Sequence, residues 1–118
     1  MSAHGMLGRL FKTVLKSPLE RQREDVRRLR ELSGAIDQAP ADLTHYVLRG
    51  ELNLDRGEHA LATADFERAL ELAEKLDESK GWLVLEQVMR DRALYGLKSA
   101  RGALRQRPSL RPVANVEA

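Results

Sequence analysis

The sequence predicts an all-α protein, and three features carry that prediction. Leu, Ala, Glu and Arg, all strong helix formers, recur from end to end. Aromatic residues make up only 4% of the chain, and β-branched residues nowhere gather into the alternating run a strand requires. Apolar residues return instead at offsets of three and four, the spacing of a helix face. The expected architecture is a short antiparallel array of about five helices.

Residues 1–16 are expected to comprise a flexible leader and a basic amphipathic helix. Leu7, Leu10, Phe11, Val14 and Leu15 follow one another at helical spacing, with Arg9, Lys12 and Lys16 elsewhere on the wheel and no acidic residue among them. Next comes a helix-start signal: Ser17 can cap, Pro18 suits the first helical position, and Glu20 sits three residues after the cap. The helix starting at about residue 18 is expected to bury Leu19, Val26, Leu29, Leu32 and Ile36 on one stripe, and Pro40 stops it. A third helix is expected from about Leu43 to Arg56, ending on Gly57, a natural left-handed cap. The fourth runs from about Glu58 to Leu76, with Leu61, Phe66, Leu70 and Ala73 among its apolar positions. After a turn over Asp77–Gly81, a fifth starts near Trp82 and continues to about Arg105. Residues 17–105 therefore read as the helical domain, and 106–118, with Pro108 and Pro112 and no periodicity, as a flexible tail.

Gly50 and Gly57 are the oddest choices in this pattern, because an interior glycine costs roughly 1 kcal/mol relative to alanine. They make sense as part of a set. Tyr46, Gly50, Gly57, Ala62, Phe66 and Ala69 alternate large and small side chains across a helix-turn-helix, and this set resembles a tetratricopeptide repeat. Small residues let two helices approach, so Gly50 is expected to face Ala62 and Ala69, with Tyr46 and Phe66 filling the space beside them. Arg49, Asn53 and Glu74 depart from the family pattern, the last in place of a closing proline. Fainter echoes flank the repeat. Ala35 and Ile36 lie 34 residues before Ala69 and Leu70, with Pro40 closing the helix, and Trp82 lies 36 residues after Tyr46. The resemblance implies one full repeat with partial repeats on either side. Since such repeats bury their faces by stacking, self-association or docking on a larger partner is expected.

Nothing in the chain suggests catalysis. His4, His45 and His59 have no metal-ligand spacing, no phosphate-binding glycine loop is present, and the carboxylates alternate with arginine as solvated ion pairs do. No catalytic residue, metal or cofactor is expected. Cysteine is absent, which fits a reducing compartment, and no apolar run is long enough to span a membrane. The expected location is cytoplasmic, with attachment to a membrane or a large complex left open.

Charge is distributed unevenly. Residues 51–91 carry five Lys or Arg against eleven Asp or Glu, whereas residues 92–111 carry six against none. The tetratricopeptide resemblance implies a partner groove lined by Thr44, Val47, Glu51, Leu54 and Asp55 and, on the last helix, by Leu83, Gln87 and Arg90. Such an apolar, acid-edged groove suits a basic amphipathic helix or peptide. The function expected is a non-catalytic protein–protein interaction module, an adaptor or accessory subunit. The alternative is an accessory protein that meets a membrane through residues 6–16 or nucleic acid through Arg92, Lys98, Arg101, Arg105, Arg107 and Arg111, nucleic acid being the weaker option for want of interleaved aromatics. Three roles stay open for residues 6–16: packing as the first helix of the opening repeat, binding a membrane or partner, or docking in the groove of a second copy.

Overall fold

The computed structural model describes residues 16–76 and 84–106. The amphipathic segment before Lys16, the Asp77–Gly81 turn, Trp82, Leu83 and the tail beyond Gln106 lie outside this range. All regular structure among the described residues is helical: α1, Pro18–Gln38; α2, Leu43–Asp55; α3, His59–Glu74; and α4, Val84–Arg105. Four helices thus stand where about five are expected, the remaining one falling on undescribed residues. Among the described residues, none of the helices is long and apolar enough to cross a membrane.

Local chemistry sets the helix ends. The Glu20 N–H donates to Ser17 Oγ at 3.1 Å, and Pro18 opens the first turn, where a missing N–H costs nothing. Pro40 has no N–H to extend α1, and its carbonyl accepts from the Tyr46 hydroxyl at 3.2 Å, tying the α1–α2 turn to the next helix. Asp42 caps α2 by accepting from the Thr44 N–H at 3.0 Å. At the other end Gly57 adopts φ +78°, the left-handed conformation that glycine enters without strain. The Gly57 N–H then donates to the Leu54 carbonyl at 3.0 Å and the Glu58 N–H to the Asn53 carbonyl at 2.8 Å, satisfying two orphan acceptors and reversing the chain.

α2, α3 and α4 form the packed unit, each in contact with the other two, while α1 packs against α2. Ala62, Phe66, Ala69 and Ala73 mark the buried face of α3, and Met89, Ala93, Leu97 and Ala100 that of α4, each at offsets of three and four. The small residues let the helices close on a single large one, since Phe66 is fully buried. A Cβ added at Gly50 of α2 would lie 2.8 Å from Phe66 Cε1, and one at Gly96 of α4 would lie 2.6 Å from Cε2 and clash with Cζ as well. Two glycines on different helices therefore press on the same ring. Gly50 thus meets Phe66 itself, where the sequence pattern points to Ala62 and Ala69, and the role of Gly96 is not part of that pattern.

The expected burial along α1 holds only at its C-terminal end. Ile36 is buried and Leu29 and Leu32 are half-buried, but Leu19 is 57% and Val26 41% exposed. The reason is length: α1 has 21 residues and α2 only 13. Asp25 of α1 reaches Arg56, just past the end of α2, at 3.9 Å, so the first turns of α1 extend beyond their partner. Leu61 is likewise exposed rather than part of the core.

The glycines make opposite predictions. Gly96→Ala should destabilise the protein by about 1–2 kcal/mol in urea unfolding, because overpacking against Phe66 outweighs the gain in helix propensity. Gly34→Ala in α1, where an added Cβ meets nothing within 4 Å, should stabilise it by up to about 1 kcal/mol.

Candidate functional site

A groove runs between α2 and α4. Leu54, Val88 and Tyr95 provide apolar surface along it, Gly96 lies at its base, and Glu51, Asp55, Asp91 and Arg92 edge it. Leu54 is half-buried, Val88 is 45% exposed and Tyr95 is 76% exposed, so the apolar surface is open. Val84, one turn before Val88, continues the stripe and is also exposed. Arg92 closes the groove on one side with a two-point contact to Glu51: Nε donates to Oε2 at 2.9 Å and Nη2 to Oε1. That hydrogen-bonded carboxylate raises the Arg92 pKa above its ordinary value, so the guanidinium stays charged. Among the described residues, Asp55 has no cation within salt-bridge distance, and Asp91 has only its neighbour Arg90, at 3.9 Å with both side chains exposed. The edge is therefore net acidic.

A second hollow lies on the other side of α2, against α1. Leu32, Leu48 and Leu52 contribute its apolar surface, and Arg28, Glu31 and Asp55 stand around it. The Glu51 and Asp55 side of α2 is thus an acidic ridge between two hollows.

The residues expected to line the groove separate into three groups. Glu51, Leu54 and Asp55 lie along it. Val47 does not, because it is fully buried in the core, and Thr44 is half-buried in the first turn of α2, away from the lining. Gln87 and Arg90 lie off the lining, and Leu83 is outside the described residues. On α4 the lining residues include Val88 and Asp91, each one position later than expected. A shift of one residue rotates a helix face by about 100°. The expected phase follows from aligning Trp82 with Tyr46; the buried stripe through Met89, Ala93 and Ala100 contains the signal for the correct one.

Arg49, one of the departures from the repeat pattern, proves to be a strut. Its Nε and Nη2 donate to the two carboxylate oxygens of Asp65 at 2.9 and 2.8 Å, and its Nη1 donates to Ser33 Oγ at 3.0 Å. One guanidinium thereby joins α1, α2 and α3. Its bidentate partner Asp65 is buried, and that hydrogen bonding raises the Arg49 pKa. Among the described residues, no group of three or more His, Asp or Glu side chains is placed to hold a metal ion. Comparisons with family models, curated proteins and solved structures found no match to this chain.

Arg49→Met should cost about 3 kcal/mol in urea unfolding, because it strands a buried carboxylate. The double variant Arg49→Met/Asp65→Leu should recover most of that loss, since two apolar side chains leave no charge to desolvate.

Proposed function

We propose that this protein is a non-catalytic interaction module that receives a basic amphipathic helix in the α2–α4 groove, and that its helices form a short tetratricopeptide-like array. The observation that carries the functional reading is the coincidence of open apolar surface at Val88 and Tyr95 with an acidic edge at Asp55 and Asp91. Apolar anchors of a bound helix would lie along the first, and its cations would meet the second. The array reading is supported by the positions that resemble the family: Gly57 reverses the chain in the left-handed conformation, Gly50 lies against Phe66, and Ala62 and Ala69 are buried. In that reading α2 and α3 form the full repeat, and α1 and α4 the partial ones. A module that presents an open groove between helices suits an adaptor or accessory subunit of a larger assembly.

Fluorescence anisotropy with a labelled amphipathic peptide rich in Leu and Lys tests this function. The wild type should bind it, and a scrambled peptide of the same composition should bind much more weakly. Asp55→Lys/Asp91→Lys should abolish binding with the thermal midpoint little changed, since both side chains are exposed. Equal binding by the wild type and the double variant would refute the groove assignment.

A further inference from the structure

The C-terminal half of α4 has the opposite chemistry to the groove. From Arg92 to Gln106 the chain carries four cations and no carboxylate. Leu94, Lys98, Arg101 and Arg105 succeed one another at offsets of four, three and four, which places them on one stripe of the helix. All four are exposed, and together with Leu97 they line a shallow hollow. Arg101 has a long contact with Glu67, 3.8 Å with both side chains about half exposed, a solvent-screened pairing that leaves the guanidinium open to a partner. Arg92, by contrast, is engaged with Glu51.

This stripe is itself a basic amphipathic helix surface, with Leu94 as an apolar anchor beside three cations. We infer that its partner is a second copy of this chain, whose acid-edged α2–α4 groove receives it. The inference rests on the groove reading for its acceptor and adds the identity of the occupant. Charge complementarity supports it: Lys98, Arg101 and Arg105 would face Asp55 and Asp91 of the neighbouring copy, and Leu94 would meet the Val88 and Tyr95 surface. Groove and stripe share one continuous helix, so a molecule cannot seat its own stripe in its own groove. The two surfaces differ, so the contact is head-to-tail and leaves one free groove and one free stripe at the ends of any open assembly.

Sedimentation velocity on the full chain tests the inference. At low salt the wild-type mass should rise above that of the monomer with increasing concentration, and added salt should reverse the rise. Lys98→Glu/Arg101→Glu should sediment as a monomer, and so should Asp55→Lys/Asp91→Lys, with unchanged helical circular dichroism. An equimolar mixture of the two should re-form a complex, because the first variant keeps its groove and the second its stripe. A wild type that stays monomeric at every concentration would overturn the inference. So would assembly that persists in either variant, or a mixture of variants that stays monomeric while the wild type assembles. If the wild type is monomeric yet the Leu/Lys peptide still binds in an Asp55- and Asp91-dependent way, self-docking fails and the groove reading stands.

Discussion

The fold depends on one ring. Phe66 is fully buried on α3, and the backbones of α2 and α4 come against it at Gly50 and Gly96, positions where even one methyl group would meet the ring at less than ordinary van der Waals distance. The two glycines give up helix propensity of roughly 1 kcal/mol each. Full burial of a phenylalanine offsets this, as truncation of such a side chain to alanine typically costs about 3–5 kcal/mol. Because the same ring meets both helices, it also sets how far apart α2 and α4 stand. That separation defines the groove between them, so Phe66 links the core to the surface directly above it.

Polar contacts then hold the helices in register around this centre. Arg49 reaches Asp65 and Ser33, joining three helices through one guanidinium, and Arg92 reaches Glu51 across the groove. The two pairs differ in what they contribute. Asp65 is buried, so its pairing with Arg49 is obligatory: a lone carboxylate there would bear the full desolvation penalty. Glu51 and Arg92 are partly exposed, and their pair contributes less to stability. Its main structural effect is to neutralise one acid of the groove edge, leaving Asp55 and Asp91 to define the charge.

The helix boundaries are legible in the sequence because single residues with strong local physics set them. Ser17 and Pro18 start α1, Pro40 prevents its continuation, and Gly57 supplies a backbone conformation that other residues resist. Properties that depend on a neighbouring helix are less legible. The exposure of Leu19 and Val26 follows from α2 being shorter than α1, which hydrophobic spacing within α1 does not register. Arg49 stands in the sequence only as a departure from the repeat pattern, and its partner Asp65, sixteen residues away, is brought beside it by the packing of two helices. On α4 an alignment from Trp82 displaces the groove side by one residue; the small residues Ala93, Gly96 and Ala100 mark the packed face more reliably. Gly96 is unremarkable within a helical run, since only the position of the Phe66 ring gives it a purpose.

A double-mutant cycle tests most directly whether Phe66 is the shared contact. The cost of Gly96→Ala would be measured by urea unfolding in the wild-type background and again with Phe66→Leu, whose side chain is smaller and can yield. If the ring is what the added methyl meets, the substitution should destabilise the wild type and become neutral or stabilising in the Phe66→Leu background, with a coupling energy on the order of 1–2 kcal/mol. The same cost in both backgrounds would contradict the account and place the origin of the Gly96 requirement elsewhere.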